Sequence, residues 1–231
     1  MPNKNSSISI IIPVLNEELC LGKLLNHLKS SSSNIKEIIC VDGGSVDRTV
    51  EIAEQNGSKV IHSERGRAKQ MNLGAKLSNG DILYFLHADT FPPKNFDQSI
   101  LKAVENGFMA GCFRMKFDTK NVFLRFFAWF SGINLLLCRG GDQSLFVHKQ
   151  LFEKTTGFNE SYHIYEDTEF IARLYKNTKF KVVPDCVITS ARKYREVGVL
   201  KLQFHFAVIH LKNFLGADAE ELYRYYKKNI S

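Results

Sequence analysis

A chain of 231 residues with 44% apolar side chains has material for one well-buried core, so a single α/β domain is expected. Lysine and arginine (31) exceed aspartate and glutamate (24); the formal charge of +7 suits phosphates, acidic membrane surfaces or nucleic acid without choosing among them. Cys20, Cys40, Cys112, Cys138 and Cys186 are odd in number, scattered and free of any CxxC pair, which excludes a disulfide framework or zinc ribbon and reads as buried thiols in a reducing cytoplasm.

The polar stretch Met1 to Ser7 has neither a signal peptide's charged-then-apolar layout nor an anchor, so a cytoplasmic location is expected. From Ile8 to Val14 the chain is almost continuously apolar and β-branched, the pattern of a strand buried on both faces. Leu21, Leu24, Leu25 and Leu28 follow at helical spacing, and the serine run Ser30 to Ser33 reads as a loop. A strand from Glu37 to Val41 precedes a glycine turn and a helix with Val46, Val50 and Ala53 on one face. A short strand near Lys59 to Ile61, a helix carrying Ala68, Met71 and Ala75, and a strand from Ile82 to Leu86 continue the alternation. Such alternation predicts an open, mostly parallel twisted sheet flanked by helices. Ligands of such sheets bind at the carboxyl ends of the strands, so Pro13 to Glu17, Asp42 to Asp47 and His87 to Thr90 should converge on one crevice.

After Pro93 the alternation loosens. A strand is expected over Phe108 to Phe117, another near Gln143 to His148, and a helix over Asp167 to Tyr175. Val122 to Leu137 is apolar but interrupted, short of the ~20 residues that a spanning helix needs. Its phenylalanines are open to use as core, dimer interface or acceptor groove, and the oligomeric state stays open with them.

Four segments in this order resemble the family 2 inverting glycosyltransferases of GT-A fold: Ile-Ile-Pro-Val-Leu-Asn-Glu-Glu (11–18), Val-Asp-Gly-Gly-Ser-Val-Asp-Arg-Thr (41–49), Gly-Asp-Ile-Leu-Tyr-Phe-Leu-His-Ala-Asp-Thr (80–90) and Tyr-Glu-Asp-Thr-Glu-Phe (165–170). With Gly-Arg-Ala-Lys-Gln-Met-Asn-Leu-Gly-Ala (66–75), Gly-Asp-Gln-Ser-Leu-Phe (141–146) and Thr-Ser-Ala-Arg (189–192), the set is similar to the subgroup called rSAM/selenodomain-associated transferase 2. The resemblance covers roughly residues 8 to 215 and implies a nucleotide-sugar-binding half (about 8–93) and an acceptor half (about 94–231) of one domain. It implies transfer of a sugar from a nucleoside-diphosphate sugar, UDP-linked in our reading, to an acceptor hydroxyl. A divalent metal, Mn²⁺ or Mg²⁺, would assist diphosphate departure.

Residue by residue, each role implied by the resemblance stands beside a plainer one. Asp42 would accept from the nucleotide base, or simply sit in a turn with Asp47 capping the next helix. Pro13, Asn16 and Glu17 would lie next to base and ribose; alternatively Asn16 is an N-cap and Glu17 and Glu18 favour the helix dipole. Arg67, clustered with Arg65 and Lys69 at a helix start, would hold phosphate, although cations there oppose the dipole. The family's Asp-x-Asp place reads His87-Ala88-Asp89, which leaves Asp89 as the metal ligand and gives His87 either a ligand contact or a strand-end hydrogen bond. Asp167, with Glu166 beside it, would be the base that deprotonates the acceptor; the same pair could merely complement a helix N-terminus. Asp142 and Gln143, after Gly140 and Gly141, would face the acceptor or sugar, or form a tight turn. His148, His163, His205 and His210 have no metal-site spacing.

Near the C-terminus, Arg192, Lys193, Arg195, Lys201 and Lys212 flank an apolar stripe, Leu200, Phe204, Ala207, Val208 and Leu211. A packed terminal helix accounts for it; the alternative is an interfacial helix on the inner face of an anionic membrane, suited to a lipid-linked acceptor. Two rival functions are a catalytically inactive binding module at a membrane surface and a nucleotidyltransferase, although the acidic Pro-Val-Leu-Asn-Glu stands where the latter places a basic glycine-rich loop. No motif supports a nucleic-acid partner.

Overall fold

The computed structural model describes residues 6–230; residues 1–5 of the polar N-terminal stretch lie outside them. Strand β1 (Ile8–Val14) is buried along its whole length, as its nearly continuous apolar run requires, and its one polar residue, Ser9, hydrogen-bonds Glu37. It pairs in parallel with β2 (Ile35–Asp42) and β4 (Ile82–Phe85), and β2 pairs in parallel with β3 (Lys59–His62). Helices α1 (Leu21–Ser31), α2 (Thr49–Gln55) and α3 (Arg67–Lys76) make the crossovers, as the alternation predicts.

The pattern then changes. Strand β5 (Thr90–Phe91) and helix α4 (Phe96–Glu105) lead to β6 (Ala110–Phe117), α5 (Val122–Phe130), β7 (Leu145–His148) and α6 (Lys149–Lys154). Helix α7 (Glu166–Asn177), strand β8 (Phe180–Thr189) and helices α8 (Arg192–Val197), α9 (Val199–Phe214) and α10 (Ala219–Asn229) complete the described chain. The sheet order is β3-β2-β1-β4-β7-β6-β8-β5. Strand β7 runs antiparallel to both β4 and β6, β8 is parallel to β6, and β5 is antiparallel to β8, so the second half of the sheet is mixed.

Alternation along β1 feeds two cores. Ile8, Ile10, Ile12 and Val14 pack with the α1 leucines and with Phe96 and Ile100 of α4. Ile11 faces the other way, into Ala68, Met71 and Ala75 of α3 and Phe170, Ile171 and Leu174 of α7. At Gly74 of α3 a Cβ would lie 2.6 Å from Ile11 Cγ2 and 2.9 Å from Val41 Cγ2, so glycine lets the helix press against the sheet. A third cluster joins Phe117, α5, α8, α9 and α10.

Several local expectations are corrected. Ser30 and Ser31 finish α1, and Val46 is exposed in a loop because α2 begins only at Thr49. Helix α1 begins at Leu21, so Asn16 is no N-cap. Strand β8 went unpredicted: Pro184 and Asp185 interrupt its pattern, and the register with β6 shifts between Phe113 and Arg114 to accommodate them. On α9 the buried residues are Leu202 and Ile209, while Leu200, Phe204 and Leu211 of the expected packing stripe face outward. The aromatic segment is likewise only partly core, with Leu124 and Ala128 buried and Phe123, Phe126 and Trp129 exposed. All five cysteines are free; Cys40 and Cys112 are buried, but Cys20, Cys138 and Cys186 are partly accessible. No helix among the described residues is long and apolar enough to cross a membrane.

Candidate active site

The carboxyl ends of β1 and β4 open on a cleft of about 340 Å³, lined by Pro13, Glu17, Arg67, His87, Asp89 and Asp142 among others. Strand β8 brings a further group to the same place. Its last residue, Thr189, pairs with Thr90, and the two hydroxyls are 3.0 Å apart. The chain that follows therefore sits beside Asp89, and Arg192 and Lys193 enter the cleft wall.

At the floor, His87 lies between two carboxylates. Its Nε2 is 3.6 Å from Asp167 Oδ2 and its Nδ1 is 3.9 Å from Asp142 Oδ1, so these are charge contacts longer than hydrogen bonds. Burial disfavours the imidazolium, but the neighbouring Asp167 outweighs it and raises the His87 pKa. Burial likewise pushes Asp167 up, and His87 and then Arg67 pull it back below its ordinary value, so Asp167 is ionised at neutral pH. Both acidic residues of the Glu-Asp pair open α7, where the unsatisfied N–H groups favour negative charge.

Glu166 is buried, and Arg67 Nε stands 2.9 Å from its Oε1. That pair is too poorly aligned to count as a hydrogen bond, leaving both Glu166 oxygens without a donor. Burial, opposed by Arg67, raises the Glu166 pKa. The preceding Tyr165 has φ of 70°, a left-handed conformation that costs a bulky side chain energy and turns the chain sharply into α7. Its hydroxyl and His210 Nδ1 are 2.8 Å apart, tying this turn to α9. Gly141 packs against Asp167 so tightly that any Cβ there would overlap Oδ2.

Four predicted residues make structural contacts of their own. Asn16, with φ of 56°, accepts from Val46 N through Oδ1 (2.9 Å), while its own N donates to Ser45 Oγ (2.9 Å); it zips two loops together rather than lining the cleft. Glu17 N donates to Thr49 Oγ1 (2.7 Å) in the same zipper, but its carboxyl turns to the cleft, 3.6 Å from Arg192. Asp42 is buried and accepts from Gly44 N (3.1 Å) and Ser45 N (3.0 Å), the turn role. Burial works against its ionisation, but the Ser45, Gly44 and His62 contacts prevail and keep its pKa low. Asp47 braces the same loop by accepting from Thr49 N (3.0 Å). Gln143 takes the plainer, turn-forming role: Arg139 Nη1 donates to its Oε1 (2.6 Å) and its Nε2 donates to Cys138 O (2.6 Å), so it locks the 138–143 loop and is not among the residues lining the cleft. Lys69 is paired with Glu64 outside the cleft.

Asp89 differs from its neighbours. It is half-buried in the cleft wall, and its carboxylate has no hydrogen bond or ion pair among the described residues. A free carboxylate between basic side chains fits a hard divalent cation. No cluster of three protein ligands surrounds it among the described residues, so phosphate oxygens and water would supply the other ligands.

Arg192, the last residue of the Thr-Ser-Ala-Arg segment, and Lys193 join the cleft without a site role expected from the sequence. The available signal was a basic pair just after a strand end. The same cleft continues into an apolar wall of Leu202, Phe206 and Ile209 from α9, a feature no local pattern announces.

Comparison with known proteins agrees with this geometry. Among curated proteins, the chain is 42% identical over 91 residues to the 4,4'-diaponeurosporenoate glycosyltransferase of Staphylococcus haemolyticus, covering 36% of this chain and 24% of that one. It is 31% identical over 119 residues to an undecaprenyl-phosphate 4-deoxy-4-formamido-L-arabinose transferase of Pseudomonas aeruginosa, covering 46% and 35%. The chain thus spans about a quarter to a third of these relatives' length. Among solved structures, glucosyl-3-phosphoglycerate synthase of Mycobacterium tuberculosis with Mn²⁺, UDP and phosphoglyceric acid superposes with a TM-score of 0.68 at 16% identity, covering 92% of this chain and 80% of that one. S. aureus TarS 1-349 with UDP-GlcNAc gives 0.63 at 19% identity, covering 80% and 58%. These likenesses show the GT-A fold. The model of glycosyl transferase family 2 matches residues 9–183, which takes in β1, the Asp89 strand end and the Asp167 helix, and the chain belongs to that family.

Proposed function

We propose that the protein is an inverting glycosyltransferase that moves a sugar from a uridine-diphosphate donor to the hydroxyl of an acceptor with an apolar portion. The observation that carries this is one cleft holding an unpartnered Asp89, the basic side chains of Arg67, Arg192 and Lys193, and the ionised Asp167 behind His87. Solved structures of this fold with bound UDP support the choice of base.

In this reading Asp89 holds the divalent cation, whose chemistry is to neutralise charge on the departing diphosphate. Arg67, Arg192 and Lys193 orient the phosphates. Asp42 shapes the base pocket through the turn it braces. Asp167 accepts the proton of the acceptor hydroxyl as that oxygen attacks the anomeric carbon from the face opposite the leaving group, which inverts the centre. Glu166, buried against Arg67, fixes the guanidinium. Asp142 stands exposed at the mouth, where the sugar or acceptor enters. The apolar α9 wall and the Pseudomonas relative named for undecaprenyl phosphate support a lipid-linked acceptor.

Asp167→Asn removes the base but keeps the shape. Turnover should fall by about 10²–10⁴ with nucleotide affinity nearly unchanged, as a positioned base contributes that much. Unaltered turnover in this variant removes Asp167 from its role.

A further inference from the structure

Helices α5 and α9 bury one face each in the same apolar cluster, through Leu124 and Ala128 on one and Leu202 and Ile209 on the other. Their opposite faces are uncovered. Leu200, Phe204 and Leu211 of α9 and Phe123, Phe126 and Trp129 of α5 are between 56% and 66% exposed. On α9 they fall, with Ala207, at intervals of four, three and four residues, which places them on one stripe. Six large apolar side chains presented to water by two helices rooted in one cluster are more than a monomer's scattered surface residues.

The two segments that carry these faces bear charges of one sign, although Lys212 of α9 is paired with Glu221 of α10. From residue 119 to 141 and from 197 to 217 the sequence contains no aspartate or glutamate. Exposed Lys120, Arg125 and Lys201 stand among the apolar residues. Apolar faces whose own helices carry cations and no carboxylate are complementary to the interface of an anionic bilayer, where apolar side chains enter the acyl boundary and lysine and arginine meet headgroup phosphates. Helix α9 also has two sides in use: Leu202, Phe206 and Ile209 line the cleft while Leu200, Phe204 and Leu211 face outward.

We infer that the uncovered faces of α9 and α5 dock the protein on an anionic lipid bilayer, with α9 as the partition between that bilayer and the catalytic cleft. The docking goes beyond the transfer reaction and does not depend on it, because it needs neither donor nor cation.

The test is flotation of the full chain, without nucleotide or metal, on neutral phosphatidylcholine vesicles and on vesicles containing about one third phosphatidylglycerol, at low and high salt. The variants are Phe204→Ser with Leu211→Ser, and Phe126→Ser with Trp129→Ser. Circular dichroism and a nucleotide thermal-shift measurement verify that each variant is folded and keeps its cleft. Wild type should float with anionic vesicles at low salt, weakly at high salt and not with neutral ones. Each double variant should lose at least tenfold of that binding while still responding to nucleotide. No association with anionic vesicles, equal association with neutral ones, or binding untouched by the apolar substitutions would each overturn the inference. So would a wild-type dimer in light scattering that the variants dissociate, combined with no flotation, since a second copy would then be the occupant. Loss of the nucleotide response in wild type with flotation intact would instead strike the proposed reaction and leave the docking standing.

Discussion

The contact between Gly141 and Asp167 Oδ2 leaves no room for a methyl group. Gly141→Ala must displace the loop or the carboxylate, and overpacking of this kind costs about 1–3 kcal/mol. In a chain of this size each kcal/mol lowers Tm by about 2–4 °C. A scanning calorimetry trace should show that fall, and turnover should drop with it because the displaced group is the proposed base. A variant with wild-type Tm would mean the loop is free to move. At this scale the sequence was legible where chemistry is local: Asp89 and His87 sit in the cleft wall where a strand end was expected, and Arg67 where a helix start was. It was illegible for Gln143, whose partners Arg139 and Cys138 are loop neighbours, because hydrogen bonds inside a loop follow from its conformation and not from residue type.

Elements were legible in proportion to their periodicity. The unbroken β1 and the leucine spacing of α1 fix their own partners, whereas β8 hides behind Pro184 and Asp185, and only its long pairing with β6 shows it to be a strand. The orientation of α9 departs from its expected packing stripe for a related reason. Its apolar residues outnumber those of one buried face, so spacing alone could not say which stripe packs.

Two expectations belong to helices. Gly74→Ala would gain about 1 kcal/mol of helix propensity, yet its Cβ would meet Ile11 and Val41 at under 3 Å. Overpacking should win, lowering the urea midpoint with an unchanged m-value; a raised midpoint would show that α3 slides without cost.

The second concerns the tie between α9 and the turn into α7. Burial holds the His210 pKa below its ordinary value, next to the Tyr165 hydroxyl. The unfolded chain therefore takes up this proton first, near pH 6.5. The contribution to stability is whole above that pH and declines as pH falls from there through the folded-state value. Urea midpoints between pH 7.5 and 5.5 should fall more steeply for wild type than for His210→Gln, and parallel curves would contradict the assignment.

Across the whole molecule, the sheet changes character between β4 and β7, where parallel pairing gives way to antiparallel. The cleft residues Asp89 and Arg67 come from the parallel half, and Asp142, Asp167 and Arg192 come from the half that follows. That division was legible in outline, because the strand–helix alternation weakens after Pro93. The convergence of Arg192 with Asp89 was not, since it depends on two threonines meeting across almost a hundred residues. The formal charge of +7 likewise fits an anionic partner without separating the proposed diphosphate in the cleft from the proposed lipid surface at α9; Arg67 and Arg192 line the cleft, whereas Lys201 is exposed on α9.

The central claim is that Asp89, through a divalent cation, joins a nucleoside diphosphate to this cleft. A thermal-shift panel of nucleoside diphosphates and nucleotide sugars, each with and without Mn²⁺, on wild type and Asp89→Asn, tests it most directly, because a ligand that binds only the folded state raises Tm. The account predicts a Mn²⁺-dependent rise with UDP or a UDP-sugar in wild type that disappears in Asp89→Asn, with both proteins equally stable when no ligand is present. A folded wild type that gains no stability from any nucleotide, or an Asp89→Asn variant that gains as much as wild type, would contradict it.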